Sequence, residues 1–115
     1  MKIEYLQQTG DVCVEDIVWC IEEKIASTSE CIVHLSDNPK RCQLQAEQHN
    51  EHWDKMLILY QSHSHSKAHS LLCEFAAHGW NCDFSSNRLE HPAPTPHEIV
   101  YYLCLCLRYR TTKAP

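Results

Sequence analysis

Residues 99–110 read IVYYLCLCLRYR, and the fold turns on whether this stretch is a helix or a strand. Two signals compete in it. Just upstream stands TPHE, with Thr95 as N-cap, Pro96 at the first helical position and Glu98 three residues after the cap, the pattern of a capping box entering a helix. Against it, Leu103, Leu105 and Leu107 alternate with Cys104 and Cys106, the period of two that belongs to a strand. The capping box tips the reading to a helix over residues 99–109, with Arg108 and Arg110 at the negative end of its dipole. Such a helix is apolar on every face and needs cover all round.

The chain around it reads the same way. Only Gly10 and Gly79 occur in 115 residues, and glycine is the usual supplier of the positive φ that hairpins and parallel crossovers need at their turns. Val14, Ile17, Val18, Ile21 and Ile25 recur at helical spacing, and Thr28, Ile32 and Leu35 continue the stripe. SDNPK then stops and restarts the pattern, with Ser36 or Asp37 near an N-cap and Pro39 in a first turn. Cys42, Ala46, His49, Trp53, Met56, Leu57 and Tyr60 form a second stripe, a helix of about six turns at 3.6 residues per turn.

After the SHSHS break, Ala68, Leu71, Leu72, Phe75 and Ala76 mark a third helix, closed by Gly79 as its C′ residue. KIEYLQQ at the start is a short extended arm. The expectation is therefore an all-α protein, a small four-helix bundle with an N-terminal extended arm, in a single domain spanning residues 1–115. A rival reading keeps the helices but makes buried strands of ECIVHL (30–35), KMLILYQ (55–61) and NCDF (81–84), giving an α/β two-layer sandwich. Periodicity alone does not separate short buried strands from helix segments.

Composition narrows the function. The net charge is −5, concentrated in residues 1–55, where 11 acids face 5 bases, while residues 56–115 hold 4 acids and 5 bases. That distribution excludes the clustered Lys/Arg footprint of a nucleic-acid binder and leaves room for partners with a basic face. Nine histidines reverse the sign of the net charge between neutral pH and about pH 5.5, given a reference pKa of about 6.5. Lys2 is followed by Glu4 rather than by an apolar export segment, and the apolar run 99–107 is far short of the roughly 20 residues that span a bilayer. The expected location is cytoplasmic, with no membrane partner. The eight cysteines then read as reduced thiols, with no C-x-x-C pair among them.

Two histidine and cysteine sets have metal-ligand chemistry. If the first two helices form a hairpin, Cys31, His34 and Cys42 meet near its tip, three ligands of the four that a closed zinc site needs. His65 and His69, at i and i+4 in SHSHSKAHSLLC (62–73), can chelate one ion, whereas Cys73 lies about 12 Å from His65 by helical rise and joins no common shell. Free cysteine is among the most buried residue types, so packing explains these residues as well, and no cofactor is expected unless it is zinc. No catalytic constellation is present: a His69–Cys73 pair lacks a nameable orienting group. The polar, proline-containing connection from Asn81 to Thr95 is the best functional loop.

Taken together, the sequence implies a small, non-catalytic protein-interaction or regulatory module. Its partner protein is not named by any motif. Self-association as a homodimer is expected through Tyr101, Tyr102, Leu105 and Tyr109, because a helix apolar all round leaves one face for another chain to cover. The alternative is a transition-metal-binding regulator using the histidines and cysteines above.

Overall fold

The computed structural model describes residues 2–6, 12–48, 52–85 and 99–109, and it is an α/β protein. The elements follow in the order β1 (Lys2–Tyr5), α1 (Val14–Ile25), β2 (Thr28–Ser36), α2 (Pro39–Gln48), β3 (Lys55–Ser62), α3 (His65–Ala77), β4 (Cys82–Asp83) and β5 (Tyr101–Tyr109). The strands form one mixed sheet ordered β1-β3-β5-β2-β4. The helical bundle is thereby overturned. Both long stripes were real only in their first halves, and their second halves are β2 and β3. Those strands, with β4, lie where the rival reading set ECIVHL, KMLILYQ and NCDF, but helices cover both faces of the sheet rather than one.

Residues 99–110, on which the fold turns, hold the central strand. β5 runs antiparallel to β2 on one side and to β3 on the other. Leu103, Leu105 and Leu107 enter the larger core cluster together with Ile17, Ile21, Leu71, Leu72 and Phe75, so they face α1 and α3. Cys104 and Cys106 enter the smaller cluster with Cys42 of α2, Met56 and Ile58. A strand buried on both faces reads as a continuous apolar run, which is why this one resembles a buried helix. The alternation of large and small side chains carries the difference. Leucines fill the space beneath two helices, and cysteines lie beneath one ten-residue helix.

β3 hides its period in another way. Ile58 is opposite Cys104 but Tyr60 is opposite Leu103, so Leu59 is an extra residue at a bulge. Leu57, Leu59 and Tyr60 all join the larger cluster, which breaks the strict alternation of KMLILYQ. At α1 the helix ends where Thr28 donates its hydroxyl to the carbonyl of Ile25 at 2.8 Å, and the chain turns into β2. From there Val33 and Leu35 face the larger core and Ile32 the smaller one.

The topology has a consistent logic. β1, β2, β3 and β4 all run in one direction, with β5 alone reversed. β1-α1-β2 and β3-α3-β4 cross the sheet one way over one face, and β2-α2-β3 crosses back over the other. Reversing both direction and face keeps a single hand for all three crossovers, as the handedness rule for parallel β-α-β units requires. Among the described residues no helix is long and apolar enough to cross a membrane.

Candidate functional site

The first candidate is the outer face of α1. Val14, Ile17 and Ile21 point inward and are buried, which turns Trp19 outward, where 80% of its surface is exposed. Beside it lies a groove of about 290 Å³ lined by Val14, Glu15, Val18, Glu22, His78 and Trp80. Trp80 forms a rigid wall of this groove. Gly79 at φ +88° ends α3 in a Schellman motif, with the amide of Gly79 donating to Ala76 at 3.0 Å and that of Trp80 to Phe75 at 3.1 Å. The Trp80 ring then meets Phe75 edge-on at 5.3 Å, the apolar contact that accompanies such a cap.

The groove is acidic. α1 carries Glu15, Asp16, Glu22 and Glu23 against Lys24. Lys24 is paired with Glu4 of β1. Glu15 lies 3.2 Å from Nε2 of His78, a link between α1 and the end of α3 when the imidazole is protonated. The Glu15 carboxyl is held below the usual range, first by its own backbone amide and then by the Cys13 thiol, with His78 contributing further. An apolar ring standing in water above carboxylates offers hydrophobic area, a π face and negative charge together.

The second candidate is the row of side chains along α3. His65 and His69 are stacked with centroids 5.9 Å apart, and Nδ1 of His69 is 3.7 Å from Sγ of Cys73. His65 meets the ring of Tyr101 at 5.0 Å, and His69 meets Phe84, just after β4, at 6.1 Å. From β4 the Cys82 thiol reaches back to the carbonyl of Leu72 at 3.8 Å. Burial pushes Cys82 up to about 11, with the nearby Cys73 and Cys31 adding to the shift.

The residues singled out from the sequence are distributed as follows. Cys31 packs against the larger core, whereas Cys42 lies in the smaller core on the other side of the sheet. His34, only 2% exposed, pairs in register with Cys104, and Cys42 lies 3.1 Å from the Ser36 hydroxyl. The hairpin that was to gather Cys31, His34 and Cys42 does not exist, because Cys31 and His34 sit on a strand and project to opposite faces. His65 and His69 are together on one helix, as their spacing implied. No group of three or more His, Cys, Asp or Glu able to hold a metal occurs among the described residues.

Leu105 is completely buried and Tyr101 nearly so, while Tyr102 and Tyr109 are half-buried. The argument that residues 99–109 need a second chain to cover them therefore falls, since the sheet's own helices do so. The TPHE box, Gly10, His49, Arg110 and most of the connection from Asn81 to Thr95 lie outside the described residues. Trp19 was passed over in the sequence, although a signal for it existed: it falls off the 14-17-21 stripe with acids before and after it.

No protein-family model matches this sequence, and no curated protein or solved structure matches it either.

Proposed function

We propose that this protein is a small, non-catalytic interaction module that binds a basic, amphipathic segment of a protein partner on the outer face of α1. The observation that carries the reading is Trp19, 80% exposed beside a groove walled by Trp80 and edged by Glu15 and Glu22. Tryptophan is among the residues that dominate interface energetics when a partner buries them. The surrounding carboxylates select a partner bearing Lys or Arg, steer its approach, and disfavour acidic partners. A cytoplasmic setting accords with the reduced thiols expected of all eight cysteines.

The test uses the full chain and a synthetic Lys/Leu amphipathic peptide, with a Glu/Leu analogue as control. Amide shifts in α1 and at Trp80, saturable and weakened by salt, are expected with the basic peptide alone. Trp19→Ala, a surface change that spares the core, should weaken binding at least about tenfold, the loss typical of an interface anchor. Binding that is absent, or equal in wild type and variant, overturns the proposal. Sedimentation of the free chain identifies the remaining occupant: a dimer dissociated by Trp19→Ala makes this surface a self-association site and overturns the basic-partner reading.

A further inference from the structure

We propose that Cys73 is a site of oxidation by hydroperoxides, with Cys82 as the thiol that resolves it to a disulfide. The Cys82 thiol reaches the peptide unit that joins Leu72 to Cys73. Cys73 follows Leu72 in α3, and the Cys82 thiol is 3.8 Å from the Leu72 carbonyl. Cys73 is exposed, so a small oxidant reaches it, whereas Cys82 is half-buried. The pairing of β4 with β2 fixes that arrangement, because Cys82 stands in register with Val33 and shares the face of the sheet on which α3 packs.

What distinguishes Cys73 from the exposed Cys13 is its neighbour. Nδ1 of His69, one turn earlier on the same helix, is 3.7 Å from its sulfur. Cys13 offers the contrast within the same chain. It is also exposed, but its thiol faces the Asp16 carboxylate at 3.1 Å, which disfavours a thiolate and pushes its pKa up. At Cys73 the neighbour is instead an imidazole nitrogen, a base placed to take the thiol's proton as the sulfur reacts. Redox-responsive cysteines are accessible and stand beside a resolving thiol.

The chemistry balances with one hydroperoxide. In the tautomer that leaves Nδ1 unprotonated, His69 takes the Cys73 proton. The thiolate attacks the terminal peroxide oxygen, an S–O bond forms as the O–O bond breaks, and the departing alkoxide or hydroxide takes a proton. Cys73 is now a sulfenic acid, oxidised by two electrons, and the peroxide is reduced to an alcohol or water. The Cys82 sulfur then attacks the Cys73 sulfur. The S–S bond forms, the S–O bond breaks, and hydroxide leaves as water with the Cys82 proton. Burial keeps Cys82 protonated until then, so the roles of attacked and resolving thiol do not exchange.

The product would tie the C-terminal half of α3 to the edge strand across the turn that holds Trp80. Oxidation would thus fix one wall of the α1 groove, although the thiol chemistry stands independently of any partner.

The experiment treats the reduced full chain with one equivalent of hydrogen peroxide, with and without a 1,3-diketone that traps sulfenic acids. Chymotrypsin, which can cut between the two cysteines at Phe75 and Trp80, allows their peptides to be mapped. The expected result is loss of two hydrogens per chain, a Cys73–Cys82 cross-linked peptide, and oxidation of Cys73 about tenfold faster than Cys13. In Cys82→Ser the diketone should instead accumulate on Cys73, and His69→Gln should bring the Cys73 rate down to that of Cys13. The wild-type map does not depend on either variant folding. A Cys73 that reacts no faster than Cys13, or that pairs with Cys31 or another thiol in place of Cys82, overturns the proposal.

Discussion

Glu4 shows how much one half-buried side chain can organise. Its carboxylate accepts from Lys55 of the neighbouring strand at 2.7 Å and from Lys24 of α1, tying the edge strand to both. The hydrogen bonds from Lys24 and then Lys55 bring its pKa down from 4.5 to about 2. A carboxyl whose pKa is depressed by folding contributes stability that is complete above its unfolded value and fades as the pH falls from about 4.5 towards 2. The side chain is 32% exposed, so solvent screening reduces the contribution to about 1 kcal/mol. Glu4→Gln should lower stability at neutral pH by about that amount and flatten the acid limb of the stability curve. Urea melts at a series of pH values measure both, and an unchanged acid limb would show that the triad contributes nothing. The sequence placed Glu4 in an extended arm but gave no sign of its partners, because ion pairs across 20 and 51 positions leave no local pattern.

Among the elements, legibility depended on how a segment is buried. The third helix was readable because its core stripe, its SHSHS start and its Gly79 stop agree, and the structure has all three: Ser64 as N-cap accepting from the Lys67 amide, buried Ala68, Leu71, Leu72 and Phe75, and Gly79 at φ +88°. β2, β3 and β5 were misread because strands covered on both faces lose the polar alternation that marks a half-exposed strand. Thr28, Ile32 and Leu35 happen to fit helical spacing, and the bulge at Leu59 disguises β3 further. The agreement at α3 makes its stop testable. Nothing lies within 4 Å of a Cβ placed on Gly79, so Gly79→Ala costs backbone strain alone, about 1 kcal/mol for a left-handed residue. A lower urea midpoint with an unchanged m-value is the expected result. An unchanged midpoint would mean that the turn does not hold its positive φ.

At the scale of the whole molecule, the decisive fact is that the last of the described strands is the middle strand of the sheet. β2 and β3 both pair with β5, and β1 and β4 pair only outward from them. Without β5 the sheet divides into two separate two-strand pairs, β1-β3 and β2-β4. Such pairs are marginal by themselves in water. The loss also removes Leu103, Leu105 and Leu107 from beneath α1 and α3, and Cys104 and Cys106 from beneath α2, so both cores open together. Even an isolated buried leucine deleted to alanine costs about 2–5 kcal/mol, a large share of the 5–15 kcal/mol that holds a typical domain folded. A chain ending at residue 98 should therefore show narrow amide dispersion and no cooperative thermal transition, whereas the full chain melts in one step. Retention of a sigmoidal melt by the shortened chain would mean that β1–β4 and the three helices form a core without their central strand, contrary to this topology. The same dependence makes folding wait for residues 101–109, since every pairing across the middle of the sheet joins them to a strand some 40 to 80 positions earlier.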